Sequence, residues 1–311
     1  MEGKRLQRQY KNSLSGFQEW EQKSHAEDWL LYPENVGKQI SIDETAFTNG
    51  DLYTIVTNKS AKGKKGTLIA MVKGTKSEDV IKILHNIPEK RRFMVKEITL
   101  DLAGSMNLIS KKSFPYASKV IDRFHVQKLA FEAVQEIRIR HRWEAIDDEN
   151  RMIQQARKNK EPYSIKTFDN GETAKQLLAR SRYLLFKSKS KWTENQKERA
   201  KILFENYPDI KQSYELSQKL SWIYENTDNK TYALSRLARW HEQVRQANFK
   251  TFNTISKTIE LNYRDILNYF DNRSTNASAE SFNAKIKGFR TQLKGVRKVD
   301  FFMFRLQNLF A

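Results

Sequence analysis

Apolar and polar residues alternate in several short runs of the first 125 residues, and this pattern predicts strands. Five strands are expected, at residues 40–44, 52–57, 67–72, 93–100 and 119–122. The second and third form a hairpin through the lysine-rich turn at residues 59–66. Helices are predicted from Ser77 and between the last two strands. Short turns favour antiparallel pairing of the first three strands, whereas a helical crossover makes the fourth parallel to one of them.

Helical periodicity dominates the rest of the chain. Several long charged helices are expected from about His125 to about Phe270, followed by helices at about 276–293 and 299–310. This order resembles the RNase H-like fold of the α/β class: a mixed five-stranded sheet flanked by helices, with a large all-helical insertion before the last catalytic helix. The predicted domains are a helical lead-in at 1–38, a first part of the core at 39–125, the insertion at 126–270, and the C-terminal part of the core at 271–311.

Charge narrows the class of partner. The 311 residues include 56 Lys and Arg against 37 Asp and Glu, a formal net charge of +19. Such a charge favours a polyanion such as nucleic acid, although ribosomal and RNA-binding proteins share it. With no Cys, a disulfide scaffold, a Cys-ligated zinc finger and thiol catalysis are excluded. No secretory signal or membrane-spanning run is present, so a cytoplasmic, nucleoid-associated protein without membrane contact is expected.

Two aspartates lie at or near the carboxyl ends of predicted strands, on the polar side of the alternation. Asp43 alternates with Ile42 on the first strand, and Asp101 follows Leu100 at the end of the fourth. If the two strands are neighbours, the two carboxylates meet at one edge of the sheet. Two acids in one place repel unless a cation lies between them, and a hard divalent ion with oxygen ligands resolves this. The alternative is that each is an ordinary aspartate at a strand end or turn, which is common.

The helix predicted at about 276–293 has two distinct faces. Steps of four, three and four residues place one polar stripe on the helix, formed by Asn276, Glu280, Asn283 and Lys287. An apolar stripe is expected on the opposite face, formed by Ala279, Phe282, Ile286, Phe289 and Leu293. Carboxylate and amide oxygens suit a metal, and the lysine suits a phosphate. The alternative is a solvated face without chemistry.

Four blocks of sequence resemble, in order, those of bacterial insertion-sequence DDE transposases, in particular the family named ISL-three (ISL3). The blocks are residues 41–44, 99–102, 121–126 and 275–287. Similarity continues in the helical stretch at 184–187, 192–197 and 266–271, so that the resemblance covers about residues 38–310. The Arg and Tyr that often precede the last acid in other families are not in their usual places here.

The resemblance implies a catalytic and metal-binding triad of Asp43, Asp101 and Glu280. Six residues separate Glu280 from Lys287, as in many insertion-sequence transposases, and Asn276 stands four residues before the glutamate. The implied cofactor is Mg²⁺, with two ions expected and Mn²⁺ as a substitute. The implied reaction cuts transposon ends and joins them to target DNA without a covalent protein–DNA intermediate.

Further residues are expected near DNA. The predicted DNA contacts are Lys62, Lys64, Lys65, Asn276, Asn283, Lys287 and Arg290. Asp122 and His125 are accessory candidates, because their block ends the fifth strand beside the proposed site. The structural alternative makes Asp122 a strand-end cap and His125 a packed residue of a first helical turn.

The expected partner is double-stranded DNA, both transposon ends and target, bound by a homodimer. About 38 residues precede the first catalytic strand, so a separate polypeptide is expected to recognise the terminal repeats, unless the chain is a truncated remnant. Two other functions stay open: an RNase H-like nuclease, and a catalytically silent DNA-binding protein derived from a transposase.

Overall fold

The computed structural model describes residues 2–46, 51–292 and 298–311, which form two compact units. The sheet unit comprises Met1–Asp122 and Asn272–Ala311, and the helical unit comprises Arg123–Asp271. The strands are β1 (Trp29–Leu31), β2 (Gln39–Ala46), β3 (Leu52–Asn58), β4 (Leu68–Lys73), β5 (Glu97–Leu100) and β6 (Ser118–Ile121). The helices are α1 (Glu2–Gln9), α2 (Ser77–Leu84), α3 (Glu89–Phe93), α4 (Gly104–Ser113), α5 (Arg123–Asn159), α6 (Ala174–Arg180), α7 (Glu194–Asn206), α8 (Pro208–Glu225), α9 (Lys230–Ala247), α10 (Lys250–Leu261), α11 (Tyr263–Leu267), α12 (Tyr269–Asn272), α13 (Ala277–Gln292) and α14 (Val299–Phe310).

The described strands form one mixed sheet in the order β1-β4-β3-β2-β5-β6. β1 pairs with β4, β4 with β3, and β3 with β2, all antiparallel; short connections from β3 to β2 and to β4 favour this for the last two pairs. β5 and β6 are each reached through helices and pair in parallel, β5 with β2 and β6 with β5. The predicted antiparallel hairpins and the predicted parallel fourth strand are therefore confirmed.

Two predictions about the strands are wrong. The sheet has a sixth strand, because Trp29–Leu31 pairs with β4 at the sheet edge, in a segment predicted as helix and loop. Three residues are too short to show a period in the sequence. The strand predicted at 93–100 begins only at Glu97, because residues 89–93 form helix α3 directly after Pro88. The apolar residues Phe93 to Val95 made the run look continuous.

The core of the sheet unit lies between one face of the sheet and helices α13 and α14. Alternate strand residues such as Tyr53, Ile55 and Met71 pack there against Phe282 and Ile286 of α13. Met303, Leu306 and Phe310 of α14 complete this cluster. Burial of so many apolar side chains is the main force that holds α13 on the sheet. Helices α2 and α4 contact each other and strands β1, β4 and β5, and they contribute no residue to that cluster.

The helical unit has its own core. Trp240 of α9 is fully buried, and its indole nitrogen donates to the carbonyl of Leu216 in α8 at 2.9 Å. Glu172, also buried, accepts three hydrogen bonds from the guanidinium of Arg199 at 2.7, 3.0 and 3.2 Å and one from Arg180 at 3.0 Å. These bonds lower the pKa of the Glu172 carboxyl, Arg199 contributing most. No helix of the described ranges has the length and apolar content that spanning a membrane requires.

Candidate active site

Asp43 and Asp101 come from neighbouring strands. β2 and β5 pair in parallel, with Ser41 opposite Thr99. Each aspartate stands two residues beyond that pair: Asp43 is still within β2, and Asp101 directly follows the last residue of β5. Both side chains are half-buried. The parallel register therefore brings the two acids to the same end of the strand pair, as the sequence predicted for adjacent strands.

Glu44 adds a carboxyl group that the sequence analysis did not include. Burial raises the pKa of the Glu44 carboxyl, and the negative charge of Asp101 raises it further. The backbone N–H of Glu44 also donates to Asp43 Oδ1 at 2.8 Å. Strand alternation places Glu44 on the face opposite Asp43, so the pattern of the strand does not group the two acids. The signal that could have found it is a second carboxylate next to Asp43 where the strand ends.

Helix α13 is held on β2 by two asparagines spaced two helical turns apart. Asn276, just before α13, is fully buried, and its Nδ2 donates to the carbonyl oxygen of Ile42 at 3.3 Å. Asn283 is 9% exposed, and its Nδ2 donates to Asp43 Oδ2 at 2.8 Å and to the carbonyl oxygen of Glu44 at 3.4 Å. Both amides were predicted to contact DNA. In the structure, the Nδ2 groups of both asparagines bond to β2, and that of Asn283 bonds to the Asp43 carboxylate.

The two stripes of α13 are adjacent, and the prediction that they lie on opposite faces is wrong. At 100° per residue, Asn283 is only about 60° from Ile286 around the helix axis. Asn283 is accordingly buried beside the apolar residues, whereas Glu280 and Lys287 are exposed. Ala279, Phe282 and Ile286 are buried as predicted, Phe289 is half-buried, and Leu293 lies outside the described residues.

The lysine-rich turn after β3 lies against α13. Lys285 Nζ donates to the carbonyl oxygen of Gly63 at 2.7 Å. Gly63 has a φ of +73°, and a Cβ there would lie 2.6 Å from the same Nζ. The turn leaves Lys62, Lys64 and Lys65 exposed. The predicted basic residues of the turn therefore belong to the same unit as Glu280 and Lys287, in a turn that contacts α13 at Lys285. Arg290, near the end of α13, is half-exposed.

A buried ionic network links β5 to the segment that leads into α13. Glu97 is 6% exposed and accepts from Ser274 Oγ at 2.5 Å and from Asn272 Nδ2 at 3.2 Å. Lys59 Nζ lies 3.4 Å from Glu97 Oε1 and donates to Thr99 Oγ1 at 2.8 Å. Burial lowers the pKa of Lys59, and the charge of Glu97 opposes this. Glu97 lies within the strand predicted at 93–100, and a strand pattern gives no sign of a buried ionic network.

The two accessory candidates belong to different units. Asp122 directly follows β6 in the sheet unit and is fully buried, and its backbone N–H donates to the carbonyl oxygen of Leu100 at 3.0 Å. Its charge raises the pKa of Lys59, after the larger effects of burial and Glu97. His125 is half-buried in the first turn of α5 in the helical unit. The accessory roles of Asp122 and His125, and the alternative of a strand-end cap and a packed residue of the first helical turn, stay predictions.

The acids of this edge suit a hard divalent cation in chemistry. Asp43, Glu44 and Asp101 offer only oxygen ligands, and burial, followed by the charge of Asp101, raises the pKa of the Glu44 carboxyl, as expected for acids that lie close together. Within the described ranges, however, no group of three or more His, Asp or Glu side chains is placed so that it could hold a metal ion. The acids therefore match a divalent cation in their donor atoms and their charge, but the described residues do not form a complete set of metal ligands.

The strand order and the acidic edge are consistent with the DDE class of DNA-processing proteins. A family model described as Transposase, that of the DDE family ISL3, matches residues 40–306. The chain therefore belongs to the ISL3 family of DDE transposases. Among curated proteins and solved structures, none matches it.

Proposed function

We propose that this chain is the catalytic protein of a DNA transposition reaction, which cuts transposon ends and joins them to target DNA. The proposal depends on one observation, the parallel register of β2 and β5 that brings Asp43 and Asp101 to one end of the sheet. Membership of the ISL3 transposase family supports the reaction class. Both cutting and joining are in-line displacements at phosphorus, so one acidic site is sufficient for the two steps.

In this proposal Asp43, Asp101 and Glu280 hold Mg²⁺ or Mn²⁺. When bound, the ions would activate the attacking oxygen, from water or a DNA 3′-hydroxyl, and stabilise the departing oxygen. Glu280 is exposed on α13. It lies in sequence between Asn276 and Asn283, which both bond to β2. We propose that Glu280 joins the two aspartates when substrate DNA and cation are present.

Asn283 is proposed as the positioning residue of the site. Its Nδ2 holds Asp43 Oδ2 at 2.8 Å, which fixes the carboxylate and leaves its second oxygen to the backbone N–H of Glu44. Loss of a residue that hydrogen-bonds to a metal ligand typically lowers metal affinity or activity by about 10- to 100-fold. Asn276 holds the start of the same helix on β2, because its Nδ2 donates to the carbonyl oxygen of Ile42, the residue before Asp43.

The basic residues around α13 are proposed to contact phosphates. Lys62, Lys64, Lys65 and Lys287 are exposed, and Arg290 is half-exposed. Such contacts hold the backbone of duplex DNA without reading its sequence. Lys285 is excluded from this set, because its ammonium group is used by the carbonyl of Gly63.

The experiment that tests the proposal is a nicking and strand-transfer assay with Mg²⁺ or Mn²⁺. Asp43→Asn, Asp101→Asn and Glu280→Gln should each abolish cleavage while DNA binding in a gel shift persists. Glu78→Gln and Asp79→Asn, two exposed acids of α2, are the matched controls and should cleave as the wild type does. Cleavage by all three site variants at the wild-type rate would end the triad assignment.

A second candidate is a DNA-binding protein without catalytic activity. The observation that favours it is that the described residues contain no assembled group of acids for a metal. This function predicts salt-dependent DNA binding by the wild type and no nicking at any divalent cation concentration. Simple hydrolysis without strand transfer would instead favour an RNase H-like nuclease. A homodimer on DNA and a separate polypeptide that recognises terminal repeats stay predictions.

A further inference from the structure

A groove in the helical unit lies between the N-terminal part of α5, the segment 186–191 and α8. We call it the lysine groove; its volume is about 740 Å³. Its walls include Phe131 of α5, Phe186 and Lys187 of the segment, and Lys219 and Trp222 of α8. Every lining residue belongs to the helical unit, so the groove is separate from the acidic edge of the sheet unit. Its size is in the range of sites that enclose small ligands.

One wall of the groove carries a row of cations on an ordered backbone. Lys187, Lys189 and Lys191 alternate with two serines and are all exposed. Tyr214 donates its hydroxyl to the carbonyl of Lys187 at 2.8 Å, and the backbone N–H of Lys191 donates to the carbonyl of Ser188 at 2.9 Å. Lys189 lies 3.9 Å from Glu215, a long and therefore weak ion pair. The row therefore presents positive charge from a fixed loop.

Exposed aromatic rings stand beside these cations. Trp222 is 44% exposed and Phe186 is 40% exposed, although both are large apolar side chains in a folded unit. The Arg236 guanidinium lies 4.7 Å from the centroid of the Trp222 ring and is itself fixed by the carbonyl of Asn226 at 2.5 Å. By contrast, Trp192 is tied to the carbonyl of Leu184 and packs on Phe204 and Tyr214, so it is a core residue.

We propose that the lysine groove binds a segment of single-stranded DNA, whose bases stack on Trp222 and Phe186 while Lys187, Lys189 and Lys191 hold its phosphates. Aromatic platforms next to a basic track are what unpaired strands require, because every unpaired base offers a flat face and a duplex buries those faces. The two glutamates that also line the groove, Glu215 and Glu225, are outnumbered by its four lysines. The inference depends on the proposed function in one respect, namely that the substrate of the protein is DNA.

The test measures binding of the full chain to a fluorescein-labelled oligo-dT and, separately, to a hairpin duplex, by anisotropy. Trp222→Ala should weaken oligo-dT binding roughly 5- to 150-fold, the effect of losing one stacked base, and should leave duplex binding within about twofold. Trp222→Phe should restore most of the affinity, because it returns a stacking surface. Equal circular dichroism spectra and melting temperatures establish that the variants fold.

A charge-matched pair of triple variants tests the phosphate contacts. Lys187→Gln, Lys189→Gln and Lys191→Gln together should reduce the slope of log affinity against log salt for oligo-dT by about 2, at roughly 0.7 for each single-strand phosphate contact. The control replaces Lys201, Lys211 and Lys257 with Gln; these lysines are exposed in the same unit and do not line the groove. The control removes the same charge and should change the slope by much less.

Three results would overturn the assignment. One is unchanged oligo-dT binding by Trp222→Ala, and another is an equal loss for oligo-dT and duplex, which would make the groove a general DNA surface. The third is binding of poly-glutamate with the same dependence on Trp222, which would make an acidic peptide the ligand. Nicking of duplex DNA reports on the acidic edge and not on the groove, so failure of the proposed function is seen in a different measurement.

Discussion

Asn283 donates its Nδ2 to Asp43 Oδ2 at 2.8 Å, although 240 positions separate the two residues in sequence. The bond joins a helix near the C-terminus to the second strand, and it fixes one oxygen of a proposed catalytic carboxylate. Neither residue could make it without the apolar contacts of α13 on the sheet. The site therefore depends on a helix whose position is set by packing and refined by polar contacts.

Replacement of Asn283 should reduce activity without unfolding the site. Asn283→Ala removes the donor to Asp43, so we expect strand cleavage to fall by about 10- to 100-fold, as for other partners of metal-binding groups. Half-maximal activity should also require more Mg²⁺, while DNA affinity stays unchanged. Gln292→Ala, at an exposed position of the same helix, is the control. An unchanged Mg²⁺ dependence would show that Asn283 does not orient a metal-binding carboxylate.

The Lys59–Glu97 pair should contribute to the stability of the sheet unit. Glu97→Ala leaves the half-buried Lys59 without its counter-ion, and it leaves the Ser274 hydroxyl and the Asn272 amide without their acceptor. We therefore expect a loss of about 2–4 kcal/mol in urea denaturation. The double variant with Lys59→Met and Glu97→Gln should lose less unfolding free energy than the sum of the losses of those two single variants. The expected coupling is about 0.5–3 kcal/mol. Strict additivity would mean that the pair does not interact.

Glu44 should make stability depend on pH. Its pKa is raised in the folded state, so its favourable contribution is present below the ordinary value of 4.5 and is lost as pH rises through the raised pKa. Glu44→Gln should therefore raise the melting temperature at pH 7 by about 1–2 °C, and the difference should shrink towards pH 4.

The Glu44→Gln variant also tests whether a cation binds near Glu44 and Asp101. Mg²⁺ should stabilise the wild type more than Glu44→Gln, because the cation relieves the repulsion between Glu44 and Asp101. Glu78→Gln, at an exposed position on α2, should show neither effect. A difference between wild type and Glu44→Gln that is constant across pH would contradict the origin assigned to the raised pKa.

Gly63 and Lys285 should be coupled. Gly63→Ala forces a side chain onto a φ of +73° and toward Lys285 Nζ, so we expect a loss of about 1–2 kcal/mol. In a Lys285→Ala background the contact is gone and only the cost of the backbone conformation should remain. A thermodynamic cycle of the two single variants and the double variant measures the difference. An identical cost in both backgrounds would show that Lys285 does not crowd the glycine.

Several elements could be predicted because their causes are local. Strands β2, β3 and β4 follow from alternating apolar residues joined by short turns, and α13 follows from the spacing of Ala279, Phe282 and Ile286. The parallel position of β5 follows from its helical crossover. The strand β1 could not be predicted, because three residues carry no period and pair only once β4 is in place. The start of β5 was wrong because an apolar run does not distinguish the end of a helix from a strand.

The amino-acid sequence alone determined the types of most elements, the positive charge, the positions of Asp43, Asp101 and Glu280, and the resemblance to a transposase family. Only the tertiary structure decided which polar groups meet. The register of β2 against β5 sets Asp43 level with Asp101, and docking of α13 turns Asn276 and Asn283 inward. Periodicity reports which face of an element is apolar, but a contact between distant residues depends on how the elements pack, and no local pattern encodes that distance.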